Sequence, residues 1–413
     1  MAVKTVAAAL LITTTGLAQA QTAEAADPVV TLVHHLDLER YKATIKGLTQ
    51  FGDRRQGTAR NRAALDWIET QLKSYGCTNT ERLQYQFTEP AKRNPAAPRA
   101  PLAGGPAGQG GSTLFGKRAP IGVNTDPLAQ PDERLRKLNE EPTPEGTGLR
   151  ENVYCTKVGT TRPDEMYIVG AHMDGIGWGE AANDNGSGTA LVMELARIFS
   201  LPGVTTERSI RFVLWNNEET GLNGASAYVE QRKGLQGIES PKGSGKYPEP
   251  RWLGMIQHDM MMFDHGMPVA KLDANGKPVL DAKGQPFYVA PKEQRAEADV
   301  NIEYQSTAKF ADGAAKLAWH FRAANDKYAT NYPAAVGFHM TNTDSTPFMD
   351  EVPAISLREN ERGQQIGAGW NPHWHQPTDL FSSYTDKDFL LGLNAAQTTL
   401  AAVAQLTGAR VKP

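Results

Sequence analysis

Three short apolar runs, each ending in residues able to bind a metal, limit what this chain can fold into. They are Met166–His172 (MYIVGAH), Ser209–Glu219 (SIRFVLWNNEE) and Trp252–Asp259 (WLGMIQHD). Runs of this kind read as strands buried on both faces, the mark of a parallel sheet. Helix-like segments separate them, over Thr189–Phe199 and Gly224–Gln231, and a further one covers Lys309–Tyr328. The pattern predicts an α/β fold with a mixed, mostly parallel central sheet flanked by helices. In open sheets of this class ligands bind beyond the carboxyl ends of the strands. A metal site is therefore expected at those ends.

The first run opens into GAHMDGIGWGEAANDNGSG, Gly170–Gly188, a glycine-rich loop that carries His172, Asp174 and Asp184. Alone, such a loop is as readily a solvated turn as a binding site. The other runs add weight. The second delivers Glu218 and Glu219, the third Asp259, and NPHWHQPTDL adds His373, His375 and Asp379. In extended chain residues i and i+2 share a face, so Asp174 is expected to hydrogen-bond the far nitrogen of His172, as carboxylates do for metal-bound histidines. Imidazole and carboxylate donors suit Zn²⁺. Two such ions about 3.5–4 Å apart can share a water, lower its pKa toward 7 and stabilise a developing oxyanion. The neighbours Glu218 and Glu219 suit a division of labour, one binding metal and the other moving the proton of the water.

The rest of the chain supports a single domain. It has 413 residues and a net charge of −3, with no dense Lys/Arg run, which argues against nucleic acid and anionic membrane partners. Residues 1–20 read as a signal peptide: Lys4, an apolar core over Val6–Ile12 and the small-residue site Ala18-Gln19-Ala20. No later stretch is expected to span a membrane, so the mature protein reads as soluble and exported, periplasmic or extracellular. Asp27–Gly76 has a helical pattern, with Leu65, Ile68 and Leu72 on one face and Asn61 as a possible cap. TERLQYQF, ENVYCTKV and VPAISLRE read as strands. Phe389, Leu393, Ala396, Leu400 and Val403 form the apolar stripe of a closing helix. Residues 89–148, rich in Pro, Gly and Ala, read as a surface insertion poor in core residues. Residues 267–304 read as a second insertion, with turns at Asn275-Gly276 and Lys283-Gly284. The two cysteines, Cys77 and Cys155, are compatible with one disulfide or with two buried thiols. Their place beside strands that can pair, in an oxidising compartment, favours the bond.

The motifs GAHMD, NDNGSG, NNEE, HDM and WHQPTD, in this order, resemble those of the co-catalytic di-zinc exopeptidases, which include secreted bacterial aminopeptidases and glutamate carboxypeptidases. The resemblance runs from about Asp27 to Leu406 outside the insertions and implies a zinc exopeptidase domain over residues 27–408. Carried over residue by residue, it implies that His172 and Asp259 bind one zinc, Glu219 and His375 the other, and Asp184 bridges the two. It makes Glu218 the general base, Asp174 the support of His172, and a cis peptide the link between Asp184 and Asn185. Between His373 and His375, the family pattern selects His375.

Two departures from that pattern concern the substrate pocket. Trp374 stands where many relatives have tyrosine, and TDSTPF keeps Asp344 but places Ser345 where relatives have histidine. Trp374, Asp344 and Ser345 are therefore the candidate pocket residues; Trp178 and Trp370 are read as packing residues that can also line the cleft. Of the other histidines, His34, His35 and His320 read as structural, His258 points to the opposite face of its strand, and His265 and His339 have no partner motif. The resemblance implies a peptide substrate and an exported zinc aminopeptidase. A carboxypeptidase of the same fold would need a cation for the substrate carboxylate, for which Arg358 and Arg362 stand available. A glutaminyl cyclase would not need the full ligand set, and a non-catalytic binding protein would be expected to lose ligands or the base. If the leader is read correctly, sequencing of the exported protein will find about twenty residues removed; an intact Met1 on exported material would refute the reading.

Overall fold

The structure is a computed structural model that describes residues 27–89, 123–141, 146–264, 269–280, 284, 288–289, 300–340, 342–359 and 371–412. The leader, Lys283, His265, Arg362 and Trp370 lie outside the described residues. The helices are α1 (Pro28–Val33), α2 (Leu38–Thr49), α3 (Ala59–Ser74), α4 (Glu133–Asn139), α5 (Gly186–Phe199), α6 (Asn223–Arg232), α7 (Ala311–Tyr328) and α8 (Asp386–Thr407). The strands are β1 (Glu81–Phe87), β2 (Gly148–Lys157), β3 (Arg162–His172), β4 (Val204–Thr205), β5 (Arg208–Trp215), β6 (Arg251–His258), β7 (Val269–Ala270), β8 (Tyr288–Val289), β9 (Val300–Glu303), β10 (Ala334–Gly337), β11 (Ala354–Arg358) and β12 (Arg410–Val411).

Eight strands form the central sheet in the order β1-β2-β5-β3-β6-β11-β9-β10. The middle strands β5, β3, β6 and β11 run parallel, as do β9 and β10; β1–β2, β2–β5 and β9–β11 are antiparallel. Side chains alternate between two apolar layers, as the two-residue strand period requires. Val169 and Ala171 of β3 enter the layer that contains α2, α3, α5, α7 and α8. Met166 and Ile168 enter the layer under α6, with Trp215, Trp252 and Phe348. Every residue of α5 is buried, as in a core helix, and its two charged side chains, Glu194 and Arg197, pair with each other at 2.8 Å.

The closing stripe of α8 is core, as its spacing predicts: Phe389, Leu393, Ala396, Leu400 and Val403 are all buried. By length and composition α8 is also long enough to cross a membrane, contrary to the expectation that no later stretch would be. Most of it is enclosed by the domain, which makes it a core helix. The helical pattern over 27–76 resolves into three helices. Thr58, not Asn61, caps α3: its side chain accepts from the Asn61 N–H, and the Asn61 amide is instead buried against Arg54 and Asn216.

Both insertions hold more structure than composition suggested. The first contains α4, whose Leu135 is buried. The second contains the expected turn, with Gly276 at φ +75° between residues 273 and 277 that hydrogen-bond each other. Gly284 also has positive φ. The last residues of that stretch form β9 within the main sheet; Asn301 and Glu303 interrupt the apolar run that would have revealed it.

Cys77 and Cys155 are bonded, with 6.0 Å between their Cα atoms and 78 residues of sequence separation. The bridge ties the segment after α3 to the second strand of the sheet, across the first insertion. Closing a loop of this size is expected to contribute about 2–5 kcal/mol. The variant with Cys77→Ala and Cys155→Ala should therefore unfold at clearly lower urea concentration than the oxidised wild type, and equal midpoints would contradict that contribution.

Candidate metal centre

Register brings the site together. His172 lies opposite Trp215, and Ala171 and Leu357 both lie opposite His258. The four parallel strands thus end nearly level. His172 is the last residue of β3; Glu218 and Glu219 follow β5, Asp259 follows β6, and Arg358 ends β11. Asp184 enters from the loop between β3 and α5. His375 enters from the loop before α8.

Asp184 stands between the two histidines. Its Oδ1 is 3.4 Å from His172 Nε2 and its Oδ2 is 3.0 Å from His375 Nε2. His172 Nε2 is also 3.5 Å from Asp259 Oδ1, and His375 Nε2 is 2.9 Å from Glu219 Oε2. Two donors about 2.0–2.2 Å from one zinc at a tetrahedral angle lie about 3.4 Å apart, so the residues fit two cations that share Asp184. His172, Asp184 and Glu219 place ligand atoms within 4.8 Å of one another, as do His172, Glu218 and Asp259. Glu218 therefore lies on the His172 side of the cluster. His373 is apart from it, with Nδ1 2.9 Å from Thr378 Oγ1.

Crowding of buried carboxylates sets the protonation of the cluster. Burial, with the charges of Glu219 and Asp344 added, holds Glu218 well above the ordinary carboxylate range against the pull of His172. Burial likewise raises Glu219 to about 7, opposed by His375. Burial works against a charged His375, but Glu219 and Asp184 prevail and raise it to about 10. His172 is raised in the same way, burial opposing and Glu218 and Asp259 prevailing. Such a donor set is matched by divalent cations, which neutralise the carboxylates without needing protons. His258, on the opposite face, bonds Gly170 O and Thr399; burial lowers it to about 4.

The hydrogen bond expected from the Asp174 carboxylate to His172 is made by the Asp174 backbone carbonyl, 3.0 Å from His172 Nδ1. The chain leaves extended geometry after β3, and the i, i+2 argument fails there. The carboxylate turns to the next loop, where it accepts from the N–H of Glu218 at 3.1 Å and of Glu219 at 3.5 Å. Asp174 thus supports His172 through its backbone and the glutamate pair through its side chain.

Asp379 accepts from the N–H groups of Asn183 and Asp184, which fixes the loop of the bridging residue. Between Asp184 and Asn185 the peptide is cis. Glu359 accepts from Asn183 Nδ2 and from the N–H groups of Met262 and Phe263, joining the Asp184 loop to the segment after Asp259. Sequence reasoning missed Glu359 and also Arg54. Fully buried, the Arg54 guanidinium donates to the carbonyls of Gly52, Met173, Glu180 and Ala181. No sequence pattern marks it, since its partners are all backbone.

Asp344 reaches the cluster from the loop after β10. Its Oδ2 accepts from Gln257 Nε2 at 3.0 Å, and Gln257 Oε1 accepts from Trp215 Nε1 at 3.2 Å. Gly170 makes room for this chain: a Cβ there would lie 2.4 Å from Trp215 Nε1. Asp344 Oδ1 and Ser345 Oγ are buried without a hydrogen-bond partner among the described residues. Trp374 stacks on His375, ring centres 3.8 Å apart. Trp178 lies under the Arg55 guanidinium at 3.8 Å. Arg358 is buried and donates to Asp259 Oδ2 at 2.8 Å.

A parallel-centred α/β sheet with paired His/carboxylate triads at its carboxyl edge defines a class of two-metal proteins. Residues 152–400 match the model of peptidase family M28, and the chain belongs to that family. It is 44% identical to aminopeptidase YwaD of Bacillus subtilis over 68 residues, 16% of this chain and 14% of that protein. It is 35% identical to carboxypeptidase Q of Xenopus laevis over 82 residues, 20% of this chain and 18% of that one. These matches span under one fifth of the relatives' own lengths. Its fold is that of the aminopeptidase from Aneurinibacillus sp. strain AM-1, with a TM-score of 0.55 and 20% identity over 93% of this chain and 97% of that one.

Arg54→Lys tests the scaffold of this site. An ammonium has three donors on a point charge and cannot span the four carbonyls that the guanidinium holds. A lost partner for a buried carbonyl costs about 1–3 kcal/mol. Denaturation should show a loss on that scale, and hydrogen exchange should speed up in Met173–Ala181; exchange unchanged there would remove Arg54 from this role.

Proposed function

We propose that the protein is an exported zinc aminopeptidase that removes N-terminal residues from peptides, with a leader over residues 1–20 and one catalytic domain over residues 27–408. The observation that carries the metal reading is the division of Asp184 between His172 and His375, with Asp259 beside the first and Glu219 beside the second. His172, Asp184 and Asp259 would hold one Zn²⁺, and Asp184, Glu219 and His375 the other. When bound, zinc supplies Lewis acidity toward the scissile carbonyl and lowers the pKa of water at the site.

Glu218 is the general base. It would take a proton from the attacking water and return it to the departing amine. Asp174 aims it through the Glu218 N–H. Trp374, Asp344 and Ser345 border the substrate pocket in this reading. An aminopeptidase is preferred to a carboxypeptidase because Arg358, the described candidate for a substrate carboxylate, is turned onto Asp259 and buried.

Metal analysis of the purified protein should find two zinc ions, and a strong chelator should abolish hydrolysis until Zn²⁺ is restored. On a mixed peptide library, mass spectrometry should find loss of N-terminal residues; loss from the carboxyl end would establish the carboxypeptidase instead. Glu218→Gln should keep its zinc and lose at least about 10²-fold in kcat, with KM much less affected. Glu219→Gln should lose zinc as well as rate. The opposite pattern would exchange the roles of the pair, and full activity in both variants would place the chemistry elsewhere.

A further inference from the structure

The first insertion has a described stretch, residues 123–141, that reaches both loops flanking His375. Asn124 donates its backbone N–H to His375 O at 3.0 Å and its side-chain amide to Gly177 O at 3.2 Å. Gln130 is fully buried. Its single Nε2 donates to Trp178 O and to Pro377 O, both at 2.9 Å, so each hydrogen holds a different loop. Its Oε1 accepts from Asp132 N at 3.0 Å, which sets the orientation of the amide. Arg134 pairs with Glu180 at 2.5 Å, and Asn139 also donates to Trp178 O. Leu135, buried, anchors α4 behind these contacts.

His375 needs external support in a way that His172 does not. A metal-binding imidazole is usually aimed by a hydrogen bond to its second nitrogen. His172 has one, from its Nδ1 to Asp174 O. His375 Nδ1 is buried and has no hydrogen-bond partner among the described residues. Its backbone lies in the left-handed region at φ +52°, where a residue with a Cβ persists only if its surroundings impose it. The neighbouring loop presses close: a Cβ on Gly177 would lie 2.3 Å from His375 C. The direction of the imidazole therefore depends on what holds the backbone of residues 375–377, together with the stacked ring of Trp374.

We propose that residues 123–141 are a strap that positions His375 for metal, with Gln130 and Asn124 as its positioning residues. The proposal rests on the two-zinc reading above and extends it: an insertion outside the ligand motifs sets the affinity of one of the two ions. Mutation of groups that orient a metal ligand typically costs 10–100-fold in metal affinity.

Zn²⁺ binding by the full chain, measured by competition with a chromophoric chelator, tests this. Gln130→Glu keeps the shape of the side chain but removes both donors. Asn124→Pro, at a partly exposed position, removes the N–H to His375 and guards against a failure of the first variant to fold. Leu128→Ala, on the exposed side of the same segment, is the control and should bind like wild type. In either strap variant one ion should bind about 10–100-fold more weakly while the other is unchanged. In a His375→Ala background, Gln130→Glu should weaken zinc no further, because the two act through one ligand. Wild-type affinity for both ions in both variants overturns the proposal. So does equal weakening of both ions, or an undiminished effect of Gln130→Glu when His375 is absent. A wild-type protein that binds fewer than two zinc ions defeats the underlying metal reading itself, a result visible before any variant is compared.

Discussion

The crowding of Asp184, Glu218, Glu219, Asp259 and Asp344 at one edge of the sheet is the constraint on which the rest of the structure depends. Like charges withdrawn from water repel and raise one another's pKa, and left on a flexible chain they would separate. Here four separate pieces of backbone hold them, Glu218 and Glu219 sharing the loop after β5. Parallel register sets the spacing of His172, the glutamate pair and Asp259, because the strands that carry them end level. That register is itself secured by two apolar layers, in which each large side chain contributes about 1.5–3 kcal/mol on burial. Core packing and site geometry are therefore one problem: a strand that slipped by one residue would turn His172 away from the cluster.

Loops complete what the strands begin, and they do so against backbone preference. Arg54, Trp178, Ala181, Asn217, Met260 and His375 all have positive φ, a conformation that costs a non-glycine residue about 1–3 kcal/mol. The compensation comes from buried polar groups whose partners are mostly backbone atoms. Arg54 binds four carbonyls, Asp379 two N–H groups of the Asp184 loop, and Glu359 two N–H groups after Asp259. Asp174 performs the same service for Glu218 and Glu219. This arrangement leaves the ligands' own side chains free to face a cation, and it explains why so many charged residues near the site are not ligands.

The fold is shared with solved aminopeptidases at 15–20% identity. The insertions fall where the sheet tolerates them, and the described part of the first one is built into the loops beside His375.

The sequence by itself determined the α/β class, the buried parallel strands, the closing core helix and the residues that meet at the site. Each of those is a local pattern: a period of two or 3.6, a polar residue at the end of an apolar run, or a motif in family order. Tertiary structure decided how the candidates divide. It turned Arg358 onto Asp259 and gave the His172 hydrogen bond to the carbonyl of Asp174 instead of its carboxylate. It also revealed β9, a strand of four residues, too short for its alternation to stand out and legible only beside β10 and β11. Arg54, Glu359 and Gln130 could not be read in advance for the same reason. Their partners are mostly main-chain groups, many of them far away in the chain, and a hydrogen bond to a carbonyl or an N–H leaves no signature in the identity of the residue that provides it.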